Sequence, residues 1–552
     1  MSGSITNVAE ALIEQAQTQP KHAALRYPTR IRQGIVDYRS LSYRELDRLS
    51  NRWARGLREI GIDRGMRTAL MVPPGPRFFA LFFALFKTGA VPVVIDPGIG
   101  AGSLRTCLDE AAPEAFIGVT RAQAARVALR WARASVRHTV TLGPRLGWSG
   151  HTERSVLRRG GSGIESELTA TRPEDMAAIL FTSGSTGIPK GVVYRHRHFC
   201  AQVDILRETF AIAPGEVSLP TFPPFALFDP ALGMTSVIPA MNPTRPAQAD
   251  PDLLLQAITQ YSVTTIFGSP ALLRVLANAV TERNLKLPTV QRIISAGAAV
   301  PTQVIRELEP ALSEQARIHT PYGATECLPV SSISNREITV EVEALTRQGA
   351  GICVGRPIAG NRVRIIPILD GPIEHIDDLA PLEAGETGEV IVNGPTTTDR
   401  YWQRPTHTRL AKIRDGDGST WHRMGDVGYL DAQGALWFCG RVSQRVRLEE
   451  QTLHTDQLEA IFNTHPEVHR SALVRVTLQG KAVAVLCVEL LTRQSRAGRR
   501  KVEEALRQMA RNNPRTASID HFLFHPAFPV DIRHNAKIGR ETLSRWASRK
   551  LK

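Results

Sequence analysis

The chain lacks any cysteine pair at redox or metal spacing. Its six cysteines (Cys107, Cys200, Cys327, Cys353, Cys439 and Cys487) are scattered, with no CxxC. That excludes a zinc finger and a disulfide framework, and it fits reduced thiols in a cytoplasmic protein. Aromatic residues are sparse, at 6%. The longest apolar run, Phe78–Phe86, is about half the ~20 residues that a membrane span needs, so it reads as a buried helix. The N-terminus has neither the charged region nor the apolar core of a secretory signal. Nor is there an RNP-type strand or a long Lys/Arg block. The net charge of +15 is therefore read as solvated helix faces, densest at Arg121–Arg137 and Arg493–Lys501, rather than a nucleic-acid surface. A GxxxxGK[ST] phosphate loop is also missing.

What is present is a chain of 552 residues, too long for one compact core, with 42% hydrophobic and 22% charged residues. Those proportions indicate a globular protein of two or more domains. Its most informative stretch is Phe181-Thr-Ser-Gly-Ser-Thr-Gly-Ile-Pro-Lys-Gly191. Thr182, Ser183, Ser185 and Thr186 offer hydroxyls, Gly184 and Gly187 allow close backbone approach, and Lys190 adds a positive charge. Such a loop suits polyphosphate oxygens, although a Gly/Ser/Thr cluster alone is more often a linker. The apolar segment Met176–Phe181 before it predicts a strand from whose end the loop hangs.

Upstream, Ser42 and Glu45 form a capping box that opens a helix with the stripe Leu46, Leu49, Trp53 and Leu57. Strands at 68–72, 91–95 and 115–119 alternate with helices at 78–87 and 103–111, the pattern of βαβ units in a parallel sheet. Residues 143–172 are Gly-, Ser- and Arg-rich and predict a surface excursion. A helix is expected over 194–210, with His196, Arg197 and His198 read as a basic helix entry rather than metal ligands. The run Thr221–Met234 holds three phenylalanines, three prolines and Asp229, and predicts an aromatic wall. Asp229 is either a turn-forming acid before Pro230 or a substrate contact. Strands at 263–267 and 291–295 end in Gly268-Ser269 and Ala296-Gly297-Ala298, small residues that leave room for a planar ligand at the sheet edge. Short strands and Gly turns over 350–440 predict a small β-rich subdomain, and 441–552 a small α/β domain.

The TSGSTGxPKG run, Thr320-Pro-Tyr-Gly-Ala-Thr-Glu326, His422-Arg-Met-Gly-Asp-Val-Gly428, Gly440-Arg441 and Pro529–Leu543 occur in an order that resembles the adenylate-forming superfamily of acyl-CoA synthetases, peptide-synthetase adenylation domains and luciferases. The resemblance covers nearly the whole chain. It implies an α/β fold: a large N-terminal domain, 1–440, with parallel-sheet subdomains and the β-rich subdomain, followed by a small mobile α+β lid, 441–552. It implies ATP and Mg²⁺ as cofactors. The phosphates would lie on Thr182–Gly187 and Lys190, adenine on Tyr322 beside Gly297, Ala298 and Gly323, and the α-phosphate on Thr325. Mg²⁺ would sit on Glu326, the ribose on Asp426 and Arg441, and Lys537 would swing onto the reacting oxygens. Phe225, Phe228, Asp229, Gly233 and Ser269 fall where the superfamily lines its acyl pocket, and Asp229 is expected to orient or deprotonate a substrate hydroxyl.

Three departures stand out: no histidine in the pocket loop, Met424 for the usual threonine, and Gln444 for the hinge aspartate. Glu450 also falls where thioester-forming relatives carry a glycine beside the pantetheine path. These features, with longer runs such as Pro220–Pro239 and His525–Glu541, resemble the branch of the superfamily that makes β-lactones for bacterial long-chain olefins. That resemblance implies a long-chain 2-alkyl-3-hydroxy acid as substrate and assembly with a reductase and a β-lactone decarboxylase, with at most peripheral membrane contact. A long-chain acyl-CoA ligase and a non-catalytic lipid- or nucleotide-binding scaffold are the alternatives. Intact Lys190, Glu326, Asp426 and Lys537 argue against the scaffold.

Overall fold

The computed structural model describes residues 6–163, 167–182, 189–530 and 538–551. Two large sheets dominate. The first has seven strands, with Arg67–Met71, Val91–Val94, Ala115–Val119, His138–Leu142 and Met176–Phe181 running parallel and Gly191–Arg195 added antiparallel at one edge. The second has nine strands. Val217–Pro220, Thr235–Val237, Thr265–Phe267, Arg292–Ile294 and Arg317–Ala324 run parallel in it. Helices alternate with these strands, as the βαβ pattern requires.

The capping box is formed as read. Ser42 Oγ accepts from the Glu45 N–H, and Glu45 Oε2 accepts from the Ser42 N–H at 2.7 Å. The helix it opens, Tyr43–Glu59, buries Tyr43, Leu46, Trp53 and Leu57. Against it lies helix Pro76–Thr88, where every residue from Phe78 to Thr88 is buried. Residues 350–440 form the expected β-rich unit, a six-stranded sheet in which Thr420–Leu430 is central. Beyond residue 441 a three-stranded sheet, Val468–Leu478, Lys481–Leu490 and His521–Phe524, packs against helices Thr455–Phe462, Arg496–Asn512 and Arg540–Leu551.

Two expectations change. The 143–172 excursion contains helix Glu153–Arg159, capped by Thr152. It packs so tightly on the 43–59 helix that a Cβ at Gly56 would lie 2.2 Å from the Val156 carbonyl oxygen. Residues 194–195 extend a strand, and the helix begins at His196. His196 and His198 are buried rather than solvated, and burial pushes their imidazoles down to about 4 and about 3. His198 Nδ1 accepts the Arg195 N–H at 3.0 Å, so this ring caps the helix as a neutral base. Among the described residues no cluster of metal-ligating side chains occurs, and no helix is long and apolar enough to cross a membrane.

Candidate active site

Strands Met176–Phe181 and Gly191–Arg195 pair antiparallel, and the glycine-rich loop joins them. Ser183, Gly184, Ser185, Thr186 and Gly187 lie outside the described residues, but the loop's base is defined. The Thr182 N–H donates to the Lys190 carbonyl at 3.0 Å, and the Lys190 N–H donates to Thr182 Oγ1 at 3.1 Å. These bonds aim both residues at a cavity of about 1730 Å³ that they help to line.

Lys190 does not act alone there. Its ammonium stands 3.5 Å from the Tyr401 hydroxyl and 4.5 Å from the ring centre. Tyr401 in turn donates to Glu326 Oε1 at 2.6 Å, and burial beside that carboxylate holds the phenol protonated. Glu326 is buried, and the Thr398 N–H and hydroxyl both donate to its backbone carbonyl at 2.9 Å. Lys412 completes the cluster from below. Its Nζ donates to the Thr398 carbonyl and hydroxyl, and burial lowers its ammonium to about 8. Neither Tyr401 nor Lys412 belongs to a motif identified in the sequence.

A second cluster lies on strand Thr420–Leu430 and its neighbour Leu436–Arg441. Asp426 is buried, accepts from the Tyr322 hydroxyl at 2.5 Å, and has Arg441 Nη1 2.8 Å from Oδ1. Burial raises its carboxyl, against the lowering influence of Arg441 and Tyr322. Oδ1 has no directed hydrogen bond. The carboxylate, ion-paired with Arg441 behind the cavity-lining Met424 and Gly425, is of the acceptor type that suits a diol such as ribose. Gly297, at φ +98°, and Gly323, Thr325, Met424 and Arg441 line the same cavity, while Ala298 is half-buried beside it. The Tyr322 ring does not line the cavity. Its hydroxyl is committed to Asp426 and its ring centre lies 6.2 Å from that of Phe438, so it braces the carboxylate.

Of the expected pocket residues, Phe225, Phe228 and Ser269 line the cavity. Asp229 and Gly233 do not. Asp229 starts the short helix Asp229–Leu232, which turns it inward to a separate cavity of about 50 Å³ behind Phe225 and Phe228. Burial raises its carboxyl to about 7, with the hydroxyls of Ser236 and Ser218 opposing. Gly233 ends that helix at φ +82°, where a Cβ would strike Gln15 and Pro214. Glu450 is exposed beside the short hairpin of 446–447 and 452–453 and does not line the cavity. Lys537 lies outside the described residues. Gln444 is held in place: Arg540 Nε donates to its Oε1 at 3.0 Å, and the same guanidinium grips Glu459, at 2.8 Å through Nη2.

A model of the AMP-binding enzyme family matches residues 12–402. The chain belongs to that family. Within it, the chain is 54% identical to an olefin beta-lactone synthetase of Stenotrophomonas maltophilia, covering 99% of this chain and 98% of the relative. It is 53% identical to one of Xanthomonas campestris over the same shares. The amide bond synthetase McbA of Marinactinospora thermotolerans shares the fold at TM-score 0.79 and 22% identity, covering 98% of this chain and 99% of that one. The O-succinylbenzoate coenzyme A synthetase of Bacillus subtilis, solved with ATP and magnesium, shares it at 0.73 and 19%, covering 97% and 98%.

The family's ATP and Mg²⁺ fit the residues present. The Asp426 carboxylate, paired with the cavity-lining Arg441, suits the ribose, Lys190 and Thr182 suit phosphate oxygens, and the buried Glu326 carboxylate suits a hard cation.

Proposed function

We propose that this protein is an AMP-forming ligase that closes β-lactones. In the first step the carboxylate of a long-chain 2-alkyl-3-hydroxy acid attacks the α-phosphorus of ATP, and pyrophosphate leaves. In the second the acid's own 3-hydroxyl attacks the activated acyl carbon, loses its proton and expels AMP. The observation that carries the reading is identity above 50% across the whole chain with two olefin beta-lactone synthetases.

On this reading Lys190 and Thr182, with Ser183–Gly187, hold the phosphates, and Asp426 with Arg441 holds the ribose. Glu326 holds Mg²⁺, which supplies charge neutralisation at the phosphates. Residues 441–552 act as a lid that brings Lys537 to the charge developing at phosphorus. Phe225, Phe228 and Ser269 position the acid so that its hydroxyl lies within reach of the acyl carbon, the proximity that favours ring closure over an external acceptor. The substrate would come from a reductase and the product pass to a β-lactone decarboxylase, in an assembly that co-purification would test.

The deciding experiment supplies ATP, Mg²⁺ and the branched acid, with and without coenzyme A, and identifies the product by NMR. A β-lactone formed without coenzyme A is expected. A thioester formed only with coenzyme A would overturn the proposal in favour of ordinary fatty-acid activation.

A further inference from the structure

The cavity does not stop at the aromatic wall of the acyl pocket. It wraps over the carboxyl ends of four parallel strands, and Met71, Val94, Val119 and Phe181 all line it. Successive strand residues point to opposite faces, and here they feed two distinct cores. Leu70 and Ile117 pack with helix Pro76–Thr88, while Ala69 and Phe116 pack with Leu104 and Trp131 beneath helices Ala101–Ala111 and Thr120–Ala128. The connections explain this. The chain steps from Arg67–Met71 to Val91–Val94, then back past the first strand to Ala115–Val119. Right-handed crossovers of opposite direction lie on opposite faces of a sheet.

The cavity therefore reaches both faces of the sheet as two largely apolar lobes, the second with Arg121 beside Ala122 in its lining. On one face a continuous series of ring contacts runs from Phe78 to Phe82 at 5.8 Å, to Phe86 at 5.0 Å and to Phe199 at 5.4 Å, then to Phe228 at 6.2 Å, beside the adenylation site. On the other face Leu104, Ala122, Ala125 and Trp131 line the same void. Its 1730 Å³ is well above the roughly 300–1,000 Å³ that a drug-sized ligand occupies. A single-chain acid beside a nucleotide would leave one lobe as empty apolar surface.

We propose that the two lobes hold the two hydrocarbon branches of the substrate. One branch lies along the phenylalanine series, and the other crosses the strand ends into the lobe beneath helices 101–111 and 120–128. This rests on the reading above that the acid is branched. The small side chains of Ala122 and Ala125 keep the second lobe open, so they set the length of one branch and not the other.

The test uses acids whose two branches are shortened separately, with pyrophosphate release as the readout. For the wild-type protein kcat/KM is expected to fall about fourfold per methylene removed from either branch, the value of a buried CH₂. Ala122→Trp and Ala125→Trp, each checked by its melting temperature, should lower kcat/KM at least tenfold for acids long at one branch only. They should leave the length profile of the other branch unchanged. Equal loss across all acids, no change, or a wild-type protein sensitive to only one branch would overturn the assignment. The outcomes separate from those of the function proposal. Branch-specific profiles without lactone would sink ring closure alone, and lactone with a single-branch profile would sink only the second lobe.

Discussion

Tyr401 is the residue through which Lys190 and Glu326 are joined, since its hydroxyl lies 3.5 Å from one and 2.6 Å from the other. A hydrogen bond to a carboxylate contributes about 1.5–3 kcal/mol, so Tyr401→Phe should lower pyrophosphate release roughly 10- to 100-fold. It should also raise the Mg²⁺ concentration needed for half-maximal rate. Unchanged Mg²⁺ dependence would mean that Glu326 needs no brace. Asp229 belongs to a different category, because it faces its own small cavity. Asp229→Asn should keep lactone formation within about threefold of wild type, since the change removes a charge at a residue that does not itself line the main cavity. Its effect should appear in stability. Burial raises the folded carboxyl to about 7, above the 3.8 of a free aspartate. The proton is thus held more tightly in the folded state, and stability is full below pH 4 and declines as pH rises through 7. The asparagine variant should gain melting temperature relative to wild type at pH 8 and not at pH 4. A gain independent of pH would refute the assignment.

Helix Pro76–Thr88 shows how an element was legible while its second role was not. Its apolar run and Gly89 stop were readable, and the helix is buried as expected. That Phe78, Phe82 and Phe86 also border a cavity depends on helix 196–209 and segment 222–228 arriving from elsewhere in the chain. The family was legible because its motifs need fixed residue types at fixed spacing. Tyr401 and Lys412 were not, because their work depends only on where their strands and loops converge. Which of its two readings Asp229 takes was not legible, because sequence shows an acid before proline but not the direction of the following turn that faces it to the small cavity. The seven-residue helix Glu153–Arg159 was missed because helices this short draw their stability from packing. Lys87 anchors the phenylalanine helix to helix 43–59: its fully buried Nζ donates to Asp47 Oδ1, Ser50 Oγ and Asn51 Oδ1 at 2.5, 2.8 and 2.7 Å. Replacing one partner of a buried pair costs about 3–5 kcal/mol. Lys87→Met should therefore shift the urea midpoint downward by a corresponding amount, and a midpoint within error of wild type would show that methionine's packing replaces the network.

At the scale of the whole molecule, the question is whether the 441–552 region must move between the two chemical steps. The superfamily resemblance implies that thioester-forming members rotate this region to admit an external thiol. On the proposed function the acceptor lies within the substrate, which would remove that need, and Gln444 where the superfamily pattern has an aspartate is consistent with a relaxed requirement. Gln444 is held by Arg540, whose guanidinium also grips the buried Glu459, so the hinge segment is tied to the domain that carries the last motif. Gln444→Ala removes the 3.0 Å bond to Arg540. Gln444→Pro removes it and also restricts the backbone, because proline fixes φ near −65°. If ring closure needs no rotation, both variants should release pyrophosphate and lactone in a constant ratio, and single-turnover lactone rates should agree within about threefold, a difference of under 1 kcal/mol. If Gln444→Pro releases pyrophosphate normally but accumulates the acyl-adenylate while Gln444→Ala does not, closure requires hinge motion. The lid would then serve the second step as well as the first.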